Sequence, residues 1–125
     1  MGYIYFCNNP RNKCHIGDCV MRAISKALNT TWENVYIDLV AEGFLDGDMP
    51  NSNEIWGRYL YSKGFDKKVI PEFSTIKDFC REHPVGTYIL GTGTHVVAVI
   101  DGHYYDTWDS GEEEPIYYWE ERYYR

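Results

Sequence analysis

Three residues far apart in the chain are of the types a thiol hydrolase needs: Cys19, His95 and Asp106. A cysteine attacks as its thiolate, a histidine takes and returns protons near neutral pH, and a carboxylate holds the imidazole in one tautomer. Cys19 follows Gly17-Asp18 and opens the most regular helical pattern in the chain, with Val20, Ala23, Ile24, Ala27 and Leu28 at the spacing of a buried stripe and Asn29 as its stop. Unpaired N–H groups and the macrodipole favour an anion at such a start. The alternative for a lone cysteine is a small buried apolar residue, so partners decide between the two.

His95 follows Gly91-Thr92-Gly93-Thr94, a stretch with backbone freedom that leaves access for a substrate beside the imidazole. Downstream, Asp101-Gly102 is a hairpin signal between two β-prone runs. Pairing about it sets Ile100 opposite His103, Val99 opposite Tyr104, Val97 opposite Asp106 and His95 opposite Trp108. Side chains alternate, so His95 and Asp106 share a face and lie diagonally within reach. Asp109 falls on the other face. A one-residue slip would exchange the two, so Asp109 stays open as the orienting carboxylate.

The elements that must position these groups follow from the same patterns. A β-prone run at Tyr3 to Phe6 and a polar loop from Cys7 to Ile16 precede the Cys19 helix. A second helix is expected from a Thr30/Glu33 capping box to Gly43, and a third from Asn51, with Glu54, to Gly64. Ser74 or Thr75 caps a fourth that ends before Pro84. Val69-Ile70 is a short strand, and four strand-like runs then cover 87–90, 95–100, 103–108 and 116–119. Helices first and an antiparallel sheet afterwards indicate an α+β domain, one unit over residues 1–125.

Composition narrows the function. With 44% hydrophobic residues in 125, a real core is available without staples. A net charge of -7 and no basic run disfavour nucleic acid and anionic membranes, since both attract through Lys and Arg. No basic segment followed by a long apolar stretch opens the chain, and no run reaches membrane-span length, so a cytoplasmic protein is expected. On that ground the four cysteines are expected as free thiols.

Other signals weigh less. Cys7, Cys14, His15 and Cys19 lack the close cysteine pairs of common zinc sites, and Gly91 to Gly93 lacks the Lys-Ser/Thr and following helix of a phosphate loop. Cys80 reads as core, Glu112 to Glu114 as a solvated turn, and Arg22 and His103 as surface or supporting groups. Tyr117, Tyr118, Trp119, Tyr123 and Tyr124 are of the types that line a peptide groove or a partner surface, but such residues more often cap a sheet edge, and no site is assigned to them.

Gly17-Asp18-Cys19-Val20-Met21-Arg22-Ala23, then Gly93-Thr94-His95-Val96-Val97-Ala98-Val99 and Tyr105-Asp106-Thr107-Trp108, resemble the papain-like cysteine peptidases. The likeness is closer to their small bacterial and phage branches, including bacteriocin-processing peptidase domains, than to papain, and in element order it spans most of the chain. It implies a papain-like fold, N-terminal helices packed on a C-terminal antiparallel sheet, with a helix-start Cys19 nucleophile, a strand-borne His95 and Asp106 in the orienting place. A peptide or protein substrate, an acyl-enzyme and no cofactor go with it. The family often carries a Gln shortly before the nucleophile to hold the oxyanion; none stands here, and Asn12 is the nearest substitute. A scaffold that binds without turnover, or acyl transfer to an amine as in transglutaminase-like enzymes, are the alternatives.

Overall fold

Helical periodicity gives way to alternation along the chain, and the secondary structure follows it. A computed structural model describes residues 2–122, in the order β1 (Gly2–Tyr5), α1 (Cys19–Leu28), α2 (Trp32–Asp46), α3 (Asn53–Ser62), β2 (Phe65–Val69), α4 (Ile76–Glu82), β3 (Thr87–Gly91), β4 (Val96–Ile100), β5 (His103–Asp106) and β6 (Tyr117–Glu121). The fold is α+β. Tyr123 and Tyr124 lie outside the described residues. Among those described, no helix is long and apolar enough to cross a membrane.

Helix α1 begins at Cys19 and closes on Asn29 in the left-handed region, as its stripe requires. The next start is displaced by one residue. Thr30 donates its N–H to Ser25 O at 3.0 Å and so belongs to the exit of α1, leaving Thr31 to cap α2 by accepting from Asn34 N–H at 3.1 Å. Asn51 likewise sits inside a turn closed by Ser52 N–H on Met49 O, and Ser52 becomes the N-cap of α3. Thr75 and Asp78 form a reciprocal capping box on α4.

Gly43 does not stop α2; Gly47, at φ 75°, does. A Cβ on Gly43 would stand 2.6 Å from Asp48 O, so the glycine is there to let the returning chain close against the helix. Gly43→Ala gains about 1 kcal/mol of helix propensity but drives a methyl into backbone, at roughly 1–3 kcal/mol. Urea unfolding should therefore show no gain in stability and a loss of up to about 2 kcal/mol. A net gain would mean that the turn yields freely.

The six strands among the described residues form one sheet, ordered β1-β5-β4-β3-β6-β2. The sheet is mixed rather than purely antiparallel and C-terminal. β1, from the start of the chain, pairs in parallel with β5, and β2, between α3 and α4, pairs with β6 at the other edge. A parallel pair needs a long crossover, which all the intervening elements supply.

Alternation along the central strands sends side chains to two layers. Ile89, Val96, Ala98 and Trp119 meet Val20, Ala23 and Ile24 of α1 together with Ile55, Trp56 and Leu60 of α3. Leu90, Val97, Val99 and Tyr104 meet Ile76, Phe79 and Cys80 of α4. Burying each large apolar side chain is worth about 1.5–3 kcal/mol, enough for this seam to fix the start of α1 against the start of β4.

The loop between β1 and α1 corrects the free-thiol expectation: Cys7 and Cys14 form a disulfide. Asn9 Oδ1 accepts from Arg11 N–H at 2.8 Å and Lys13 N–H at 3.3 Å, and Asn12 turns through φ 57°. That turn brings the two Cα atoms to 5.7 Å, within bridging range. The expectation rested on compartment and took no account of a local turn that pairs the thiols. Cys19 and Cys80 are the free cysteines among the described residues.

Candidate active site

Cys19 is the first residue of α1, half-buried, and its N-cap is Asp18. The Asp18 carboxylate does not cap the helix. It accepts from Arg22 Nη1 at 2.6 Å and from Trp32 Nε1 at 2.9 Å. The first-turn N–H groups of α1 are thus left without a side-chain acceptor, beside the sulfur.

His95 stands one residue before β4 in a turn that holds it firmly. Its N–H donates to Thr92 Oγ1 at 3.1 Å, Thr92 N–H donates back to His95 O at 2.9 Å, and Gly93 supplies the φ of 102° that the turn demands. The glycine-rich stretch therefore fixes the imidazole's base instead of loosening it. Across the hairpin, Ile100 pairs with His103, Val99 with Tyr104 and Ala98 with Tyr105, the register read from Asp101-Gly102. That register brings His95 Nε2 to 2.6 Å from Asp106 Oδ2. Trp108, about half exposed, lies with its ring centroid 5.3 Å from that of the imidazole.

Asp106 is fully buried and held on both oxygens. Oδ1 accepts from Arg22 Nη2 at 3.0 Å and Thr107 N–H at 2.9 Å; Oδ2 accepts from Ser110 Oγ at 2.6 Å and from the imidazole. Burial alone would push this carboxyl up, but the hydrogen bonds from His95 and Ser110, the His95 charge and the Thr107 N–H bring it below the usual range. Asp106 is therefore a fixed anion.

The His95 imidazole and the backbone N–H of Val96 are the hydrogen-bonding groups beside the Cys19 thiol that favour its thiolate. Asp106 occupies Nε2, which leaves Nδ1 for the sulfur. Burial by itself would raise the thiol, yet these two hydrogen bonds and the charges of His95 and Arg22 hold it below its ordinary value. For His95, burial opposes the charge, but Asp106 and Cys19 together raise the imidazole to about 9. Lowered thiol and raised imidazole both favour transfer of the thiol proton to the ring, towards a thiolate–imidazolium pair.

The structure brings Cys19, His95 and Asp106 together and leaves two other candidates out. Asn12 is exposed, and no hydrogen bond joins its side chain to the three. Asp109 accepts from the Tyr104 hydroxyl and from Gly111 N–H, so it is not the orienting group. Of the two places read for Arg22, surface or support for the site, the structure shows the second: it is 4% exposed and bridges Asp18 to Asp106. His103, half-buried at the start of β5, pairs with Ile100 and Gly2 away from the triad. Asp18, Trp32 and Ser110 had not been singled out by their types. The available signal was the i, i+4 spacing of Asp18 and Arg22, with Arg22 also at i+3 from Cys19, which stacks all three on one helix face. Of the residues weighed for zinc, Cys7 and Cys14 are consumed by their disulfide.

Comparison of the chain with protein families, with curated proteins and with solved structures finds no match. The chemistry of the site therefore stands on its geometry. A thiol, an imidazole and a buried carboxylate converge from α1, the β3–β4 turn and the end of β5, and a fourth group, Arg22, ties the helix start to the hairpin. Such a constellation can attack a carbonyl carbon and protonate the departing group.

Proposed function

We propose that the protein is a cysteine-dependent amide hydrolase of papain-like type, acting on a peptide or protein through an acyl-enzyme. The observation that carries this is the 2.6 Å hydrogen bond from the His95 ring to the buried Asp106, with the Cys19 thiol beside the same imidazole and shifted by it towards the thiolate. The Cys19 thiolate adds to the scissile carbonyl, and the carbonyl π pair moves onto oxygen. First-turn N–H groups of α1, that of Cys19 foremost, face the resulting oxyanion. Imidazolium His95 gives its proton to the leaving nitrogen as the C–N bond breaks. Neutral His95 then takes a proton from water as the water attacks the thioester, and the thiolate leaves. Asp106 keeps the imidazole oriented and stabilises its charged form throughout. The sulfur–imidazole contact supports turnover over a scaffold that only binds.

An electrophilic peptide probe, such as a peptidyl vinyl sulfone, tests this reading, with the adduct located by mass spectrometry. At pH 6.5 the adduct should form on Cys19 and not on Cys80, which is buried and whose thiol burial pushes up to about 11. The adduct should form more slowly in His95→Ala than in the wild type. Labelling of Cys19 no faster than that of a free thiol in solution, with or without His95, would remove the basis for an enzyme.

A further inference from the structure

The Cys19 N–H is one donor for an oxyanion, and Asn12, the expected second, is elsewhere. The far end of the same sheet row supplies another. Tyr117 opens β6, Gly91 ends β3 and Val96 opens β4, and the three pair side by side, Tyr117 with Gly91 and Gly91 with Val96. Val96 is the residue whose backbone N–H helps to lower the Cys19 thiol.

Tyr117 does not stand upright in this row. A Cβ placed on Gly91 would be 2.1 Å from its Cζ and 2.3 Å from its Oη, so the ring lies across β3 with its hydroxyl over the Gly91 Cα. No other residue type fits beneath it. The ring thus runs from β6 towards β4, on the face where Tyr117, Cys19 and Val96 all join the α1 core cluster. Its hydroxyl has no hydrogen-bond partner among the described residues, and the ring is only half-buried, so the O–H is free to meet a ligand at the sulfur. Burial and, after it, the charge on Cys19 both raise the phenol, which therefore keeps its proton while the thiolate is present.

We infer that Tyr117 is a catalytic residue of this site, its phenol donating the second hydrogen bond to the oxyanion formed when Cys19 adds to a carbonyl. The inference rests on Cys19 being the nucleophile. As the thiolate adds, the phenol O–H binds the new oxyanion without giving up its proton. The oxyanion's electron pair then reforms the C=O bond and expels the leaving group, which takes its proton from His95 when it is an amine. Gly91 is the clearance that makes the phenol's position possible.

Two reagents separate the roles. Iodoacetamide alkylates a thiolate at a saturated carbon and forms no oxyanion, whereas p-nitrophenyl acetate acylates it through a tetrahedral one. In Tyr117→Phe the acylation rate should fall by about 10²–10³-fold while alkylation of Cys19 stays within about twofold of wild type. Gly91→Ala, which displaces the ring with its hydroxyl intact, should show the same split. Equal acylation in wild type and Tyr117→Phe would overturn the assignment, and so would a parallel fall in both reactions, which would place Tyr117 behind the thiolate instead. Wild-type Cys19 reacting with both reagents like a free thiol would instead sink the nucleophile reading itself.

Discussion

Removing the imidazole should reduce hydrolysis of a cleavable peptide by about 10²–10⁴-fold, the usual worth of a positioned general acid–base. The same His95→Ala change should alter the thiol in a way that separates positioning from chemistry. In the wild type His95 and the Val96 N–H lower the Cys19 thiol, so the pH dependence of its alkylation should lie below that of an ordinary thiol. Without His95 the thiol returns to about 8.5 or above, and near pH 6.5 only about 1% is thiolate. A less acidic thiol is intrinsically more nucleophilic, which recovers part of the loss and leaves alkylation at pH 6.5 slower than in the wild type.

The pH profile of kcat/KM should be bell-shaped. Its acid limb is protonation of Cys19, lying below the ordinary thiol range, and its alkaline limb is loss of the His95 proton near 9. The signs are opposite because each group needs the other's charge. His95, raised in the folded state, contributes stability that is complete below its unfolded value of about 6.5 and fades as pH rises through about 9. Cys19, lowered, contributes above its unfolded value and loses that contribution as pH falls. Alkylation that follows one ordinary thiol titration, unchanged in His95→Ala, would show that the pair does not exist in solution.

The second large effect is on stability. Arg22→Met should cost about 3–5 kcal/mol, because it strands two carboxylates that are 5% and 0% exposed without their shared cation. For a chain of this size that corresponds to a fall in Tm of roughly 10–20 °C. Arg22→Lys should recover only part of it, since one ammonium cannot offer the planar fork that reaches Asp18 at 2.6 Å and Asp106 at 3.0 Å together. Asp106 is held ionised in the wild type, so its contribution is present at neutral pH and lost as pH falls through its lowered value. In Arg22→Met that ionised form is the one penalised, so the gap between variant and wild type should narrow towards acid pH. A change within about 0.5 kcal/mol, as for a surface arginine, would contradict the buried bridge.

Much of the site was legible because its decisive contacts are local. His95 and Asp106 are 11 residues apart, joined by a hairpin whose turn, Asp101 at φ 50° and Gly102 at φ 79°, admits one register. Alternation then put both side chains in the row of Val97 and Val99. That row faces α4, while α1 packs on the opposite face against Val96 and Ala98. Face-counting alone would have kept the sulfur and the imidazole apart. They meet because His95 precedes β4 and Asp106 ends β5, at the rim of the sheet, where the start of α1 reaches the first N–H of β4.

Arg22 was left between the surface and support for the site for a related reason. A helical pattern treats a charge as facing water unless its partner is known, and one partner, Asp106, lies 84 residues away. Tyr117 was seen only as one aromatic among many in a C-terminal strand. Its orientation depends on a missing Cβ on a neighbouring strand, which no feature of its own segment encodes.

The sequence by itself determined the elements, the hairpin register and the helix start at Cys19, since each follows from hydrogen bonding and side-chain direction within a few residues. Only the tertiary structure decided the sheet's parallel edge, the Cys7–Cys14 pairing, the Arg22 bridge and the phenol over Gly91. These depend on which surfaces the packed core brings within bonding distance, and that is a property of the whole chain's burial rather than of any segment's pattern.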